Sequence, residues 1–522
     1  MKTMHFYLFG FLLFCLACQG TKKSKSLTLD PSMDDGQIEF TFLQINDVYE
    51  IAPIEGGAKG GMARVATLKK KLEAEQPRLL TILSGDFLNP SVIGTLKYQG
   101  KRIKGAHMID VMNHLGVDLV TFGNHEFDLN YSELQERLNE SNAVWLGTNV
   151  LYTDSDKVHS FYQQPEANTT KDGSSANKYI QEMWIWDIED EDGTKAKIGF
   201  FGATINSNPV DYVIYEDFRA EAVKAYQFLD KHTDLVIGVT HLEVSEDMEL
   251  AKLLPEVPLL MGGHEHEHME HQIGTVRIAK ADANAKTAYV HKVQLNTKTD
   301  KAKINSSLVP LDETVPLDPE VDKVVGKWND IADQLYSKEG FNIKEVITEV
   351  SVPLDGKDAS IRHQQTNLGK VITRCMSNAY NDENDCAILN SGSIRIDDEI
   401  SGQITQFDII RAMPFGGGIA QVQMTGAALR KALDFAINKP GNGAYLQWDK
   451  IELVDGKGWK INGKLLEDDK KYWVILNDFL LRGLDIPSLK EGNDGLLIVN
   501  KPKKGDLKTD IRLLLIDYLK NT

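Results

Sequence analysis

Cysteine is scarce in this chain of 522 residues: there are four, and two of them, Cys15 and Cys18, fall within the first eighteen positions. Beyond those, one disulfide at most can form within the chain, Cys375 with Cys386, and geometry rather than count decides whether they pair. Two free thiols are the alternative. Long apolar runs are missing after residue 18, where nothing approaches the roughly 18 uninterrupted apolar residues of a membrane-spanning helix. Positive charge is short as well, with 58 Lys and Arg against 76 Asp and Glu and a formal net charge of −18. Such a mean field repels polyanions, which excludes a nucleic acid polymer or an anionic membrane surface as the main partner. Small phosphate esters stay open, provided that metal ions or a few arginines concentrate positive charge in a cleft. No internal repeat or long low-complexity tract is seen, and the length exceeds what one hydrophobic core organises, so two or three domains are expected.

What the first residues hold is an export pattern: Lys2, an apolar run over 6–17, then Cys18 and a polar stretch over 19–26. Leu16-Ala17-Cys18 resembles a bacterial lipobox, although Cys15 stands where leucine is usual. The expectation is a lipoprotein signal peptide over 1–18, a lipid on Cys18 as the sole link to a membrane, a tether over 19–36, and a site of action facing the periplasm or cell surface. A plain signal peptide cut after Ala17 is the alternative.

From residue 38 to about 281, short strand-like runs alternate with amphipathic helical ones, the pattern of a layered α/β domain, taken as 37–310. Runs at 40–45, 79–83, 119–122, 235–240 and 257–261 each precede polar residues, and ligands of α/β sheets collect beyond the carboxyl ends of strands. Helices are predicted over 62–75, 106–115 and 216–231, with a surface insertion over 152–178. A proline-marked connection follows over 311–343, with a helix at 320–336. A second α/β unit is expected over 344–522, with helices near 368–379 and 426–437.

Hydrolysing a phosphate ester near neutral pH requires an activated water, neutralised phosphoryl oxygens and a stabilised leaving oxygen, and a pair of divalent metals supplies the first two. The sequence offers a suitable donor set in order: Asn46-Asp47, Ser84-Gly85-Asp86, Gly123-Asn124-His125-Glu126, Thr240-His241 and Gly262-Gly263-His264-Glu265-His266. Carboxylate, imidazole and amide oxygen together suit Mn, Zn, Mg, Co or Fe. Singly, each segment has a bland reading, since a strand-end Asp is commonly a turn former or helix cap and a loop histidine commonly satisfies its neighbours. Five such segments, each at a strand end, are far more specific.

This arrangement, with the segment Gly123-Asn124-His125-Glu126-Phe127-Asp128, resembles the 5'-nucleotidase branch of the calcineurin-like metallophosphatases. The resemblance implies a metallophosphatase β-sandwich flanked by helices, followed by an α/β C-terminal substrate-recognition domain. It further implies two divalent ions, one served by Asp47, Asp86 and His266 and the other by Asp86, Asn124, His241 and His264, with Asp86 bridging. His125 would contact the phosphate and stabilise the transition state or leaving group, its imidazole oriented by Asp128. The family usually reads Asn-Asp-x-His at the first strand end, whereas this chain has Asn46-Asp47-Val48-Tyr49. Tyr49 then coordinates as phenolate, stands over the site through a water, or leaves that metal weakly held.

In the second half, Asn390-Ser391-Gly392-Ser393-Ile394-Arg395, Pro414-Phe415-Gly416-Gly417, Gly443-Ala444-Tyr445-Leu446-Gln447 and Asn493-Asp494-Gly495 resemble the C-terminal domain of the same family. By that resemblance Arg362, Asn390 and Arg395 contact the substrate, Phe415 stacks on a base and Asp494 lies beside the sugar. The bland alternatives are surface salt bridges for the arginines and core packing for Phe415. Gln365 stands where glutamate is common and Leu496 where a second stacking aromatic follows Asp-Gly, which weakens base discrimination. The expected activity is hydrolysis of extracytoplasmic nucleotides to nucleoside and phosphate. Cleavage of 2',3'-cyclic nucleotides or UDP-sugars on the same site is the enzymatic alternative. A non-catalytic ligand-binding lipoprotein is the alternative from another class, and oligomeric state is left open.

Overall fold

In the computed structural model the described residues are 34–154, 157–164, 178–207 and 209–522. The export segment, Cys18 and much of the 152–178 insertion lie outside them. Two six-stranded sheets carry the first half. One runs in the order Lys301–Pro310, Thr287–Asn296, Gln37–Ile45, Leu79–Leu83, Leu119–Thr121, Val144–Leu146. The other runs Met183–Glu189, Lys195–Thr204, Leu235–His241, Leu259–Gly262, Val276–Lys280, Met269–Ile273.

The sheets face each other across an apolar layer to which Phe40, Phe42, Ile82, Leu119, Phe200, Ile237, Val239 and Met261 contribute. Phe42 and Phe200 meet edge to face at 5.7 Å between ring centres. One polar seam crosses this layer. His291 lies 2.9 Å from Gln44 Oε1, and the Gln44 amide donates to the carbonyls of Gly262 and Ala279 on the opposite sheet. Helices Met62–Glu75, Ala106–Leu115 and Tyr131–Glu140 belong to the first half, as do Phe218–Leu229 and Val244–Leu253, which pack on the second sheet.

The helix expected at 320–336 spans Pro319–Lys338. Asp318 caps it by accepting from the amides of Glu320 and Val321, and proline occupies the first turn, where no intrahelical N–H is needed. Val321, Val325, Trp328, Ala332 and Tyr336 recur at helical spacing and are buried, and Trp328 donates its indole N–H to Asp110 at 2.8 Å. In the second half a five-stranded sheet has the order Leu446–Asp449, Cys386–Asn390, Lys471–Asn477, Ile419–Thr425, Leu496–Asn500.

Alternation along Cys386–Asn390 decides the fate of the cysteines. Ala387 and Leu389 share one apolar cluster with Cys375 on helix Asn367–Asn378, while Cys386 and Ile388 face the other cluster. The expected disulfide is therefore not formed: both thiols are free and buried, because their side chains lie on opposite faces of the sheet.

Candidate metal centre

The strand ends are level. Ile45 pairs with Leu83, Leu83 with Val120, and Thr204 with His241, so Asp47, Asp86, Asn124 and His241 leave their sheets at a common edge. His264 follows Leu259–Gly262 two residues on. Backbone strain accompanies this convergence: Asp47, Asp86, His264 and His266 all adopt positive φ, at 52°, 57°, 99° and 62°. Non-glycine residues hold such angles only where the surroundings over-determine them. Close approach explains one glycine, since a Cβ on Gly123 would lie 2.0 Å from Asp86 Oδ1.

Asp47, Asp86 and His241 offer ligand atoms within 4.8 Å of one another, all buried. His241 Nδ1 sits 2.8 Å from the Ser84 carbonyl and donates to it, so Nε2 carries the lone pair. That nitrogen lies 3.2 Å from Asp86 Oδ2 and 3.8 Å from Asp47 Oδ1 and makes no hydrogen bond. Three buried ligand atoms converging in this way suit a cation, and this donor set fits a divalent metal. The amide of Asn46 anchors Asp47 Oδ2 at 2.7 Å, and the His264 N–H reaches the same oxygen at 2.9 Å. Burial pushes the His264 imidazole down to about 3, which keeps it neutral.

Glu126, quoted in the motif yet assigned no role, organises two of these loops. Its carboxylate accepts from the amides of Asp86, Phe87, Leu88 and Gly123 at 2.7 to 3.1 Å. Burial and the Asp86 charge push this carboxyl up to about 7, but every partner is an N–H donor, so the loops require the carboxylate form. His125 donates its backbone N–H to Asp86 Oδ1 at 2.8 Å, and its Nδ1 lies 2.7 Å from Asp128 Oδ2. Burial opposes charging of His125, but Asp86 and the bond to Asp128 outweigh it and hold the imidazole above its ordinary value. Tyr49 is buried with its hydroxyl 3.0 Å from Asp86 Oδ2 and 2.9 Å from His266 Nε2. Asp397, from the second half, was missed in the sequence. Its carbonyl and carboxylate lie 3.0 and 3.1 Å from His266 Nδ1, a contact spanning 131 positions that no local motif announces.

A cleft of about 760 Å³ opens over Asp86, Asn124, His125, Asp128, His264 and His266, and Arg362 and Arg395 line it too. Carboxylates outnumber Lys357, Arg362 and Arg395 along its walls, so an anionic ester needs added cations to enter. A smaller, adjoining cavity of about 210 Å³ is lined by Tyr49, Arg395 and Phe415, the last a residue 69% exposed. Asn390 and Asp494 line neither cleft. The Asn390 amide donates to Asp485 and its carbonyl accepts from Ser393 and Asn477, while Asp494 is exposed in a turn before Leu496–Asn500. Gln365 and Gln447 likewise spend their amides on neighbouring backbone.

The fold and donor set define a class, and a family model for the calcineurin-like phosphoesterases matches residues 40–268. The chain is a hydrolase of the metallophosphoesterase type, a family that implies divalent metals. A second model, for the 5'-nucleotidase C-terminal domain, matches residues 346–491, and the chain belongs to the 5'-nucleotidase family. It is 25% identical to the 5'-nucleotidase of Bos taurus over 519 residues, covering 86% of this chain and 83% of that protein. It is 26% identical to the trifunctional nucleotide phosphoesterase protein YfkN of Bacillus subtilis over 86% of this chain, but spans only 32% of that longer protein. Among solved structures, a 5'-nucleotidase precursor from Thermus thermophilus shares the fold, with a TM-score of 0.62 and 22% identity, covering 93% of this chain and 96% of that one.

Proposed function

We propose that this chain hydrolyses nucleotides outside the cytoplasm, releasing nucleoside and phosphate at a two-metal site. The observation that carries the reading is the buried Asp47, Asp86 and His241 cluster, whose Asp86 lines the same cleft as Arg362 and Arg395. The residues suited to one ion are Asp47, Asp86 and His266, and to the other Asp86, Asn124, His241 and His264. What divalent ions supply when bound is neutralisation of the phosphoryl oxygens and acidification of a water. His125, held by Asp128, presents a hydrogen-bond donor to the phosphate or leaving oxygen. Arg362 and Arg395 hold phosphate or ribose oxygens, and Phe415 offers a face to the base. The extracytoplasmic, lipid-anchored placement rests on Leu16-Ala17-Cys18.

Phe415 and Tyr49 are the only Phe, Tyr or Trp residues along either cleft among the described residues, so a base stacks on one exposed ring. Base stacking contributes about 1 to 3 kcal/mol per contact. Loose discrimination among bases, and turnover of cyclic nucleotides or UDP-sugars, is the second reading that this observation favours. Phosphate release from AMP, 2',3'-cyclic AMP, UDP-glucose and bis(p-nitrophenyl) phosphate separates the two. Preference for AMP supports the nucleotidase assignment, preference for another ester reassigns the substrate, and silence on all four leaves a ligand-binding protein.

A further inference from the structure

Two histidines at the centre differ in a way that bears on how it fills. His241 Nε2 is buried, makes no hydrogen bond, and points at Asp86 and Asp47. His266 is engaged at both nitrogens, Nδ1 by Asp397 and Nε2 by the Tyr49 hydroxyl at 2.9 Å. The same hydroxyl lies 3.0 Å from Asp86 Oδ2 and 3.5 Å from Asp47 Oδ1. It therefore touches all three groups suited to the ion on the His266 side, and the buried three-residue cluster that can take a metal includes His241 but not His266.

We infer that the two metal positions are unequal and fill in order, the His241 side first, because the Tyr49 hydroxyl already stands among the ligands on the His266 side. The inference rests on the metallophosphoesterase reading and refines it. An ion entering beside His266 must displace the hydroxyl from Asp86, Asp47 and His266. It then gains from Tyr49 a phenolic oxygen, a weaker donor to most divalent ions than imidazole nitrogen. An ion on the His241 side displaces no hydrogen bond of the histidine and relieves the crowding of Nε2 against two carboxylates. Tyr49 is thus a positioning residue for the site: it spaces Asp86 from His266 while the second ion is absent.

The test is titration of the full chain, stripped with chelator and dialysed, with Zn²⁺ by calorimetry, followed by metal analysis after gel filtration and with no substrate present. One ion should bind tightly and stay through the column, and a second should bind at least about tenfold more weakly and be lost. Tyr49→His should strengthen the weak site by about 10- to 100-fold and retain two ions. His266→Ala should abolish the weak class and leave the tight one. Two ions of equal affinity in the unaltered chain overturn the inference while leaving the metallophosphoesterase reading intact, as does loss of the tight ion in His266→Ala. No bound ion at any level overturns both. Should Tyr49→His fail to fold, the unaltered chain and His266→Ala still decide.

Discussion

Replacing Glu126 by glutamine probes how the loops are held, at a residue that contacts the candidate ligands only through backbone. Each carboxylate oxygen accepts two amide hydrogens: Oε2 from Asp86 at 2.9 Å and Gly123 at 2.7 Å, and Oε1 from Phe87 at 2.8 Å and Leu88 at 3.1 Å. In Glu126→Gln one of those oxygens becomes an NH₂ group aimed at two N–H donors, so two charge-assisted bonds are lost whichever way the amide turns. At about 1.5 to 3 kcal/mol for each bond to a charged group, the expected cost is about 3 to 6 kcal/mol. Because the affected amides belong to the Asp86 and Asn124 loops, bound metal should fall along with stability. The assay is urea denaturation of both proteins after chelator treatment, which removes ligand-linked stability from the comparison, with metal content measured separately. A loss below about 1 kcal/mol, with metal retained, would refute the reasoning and show that the side chain is protonated in the folded protein.

Other perturbations follow from the same geometry. Gly123→Ala places a Cβ against Asp86, and should cost about 1 to 3 kcal/mol of stability and abolish metal retention; unchanged metal content would contradict the close packing. His291 is buried between Gln44 and Ser306, and burial pushes its pKa down to about 3 from an ordinary 6.5. The unfolded chain then binds the proton that the folded chain refuses, so stability is full above pH 6.5 and is lost as pH falls toward 3. The unaltered chain should lose about 2 kcal/mol from this group between pH 7 and pH 5, and His291→Gln should lack that share, as pH-dependent denaturation would show. Cys375 and Cys386 should both react with a thiol reagent in the unfolded chain and neither in the folded one, and reductant should not move the melting temperature; protection in denaturant would reveal a bond.

The strands and the residues after them were legible because short apolar runs ending in Asp, Asn or His are local patterns. The helix of the connection was legible from its proline start and apolar spacing, and it extends from residue 319 to 338 instead of 320 to 336. What sequence could not convey was facing and pairing. Cys375 and Cys386 are near in sequence, but strand alternation turns Cys386 away from the helix that carries Cys375. Asn390 ends the strand Cys386–Asn390, and its side-chain amide is engaged by Asp485, Ser393 and Asn477. Asp397 has no motif around it, and only the meeting of the two halves brings it to His266. Tyr49 was visible as a departure, but its contacts to three ligand candidates depend on the way the first strand-end loop folds under Asp86.

A metal held around Asp86 should drive ester hydrolysis, and phosphate release from AMP before and after chelation, with Mn²⁺ restored, measures that dependence. Turnover should vanish with chelator, return with metal, and be absent from a folded Asp86→Asn protein. Undiminished phosphate release in chelator, or from Asp86→Asn, would contradict it.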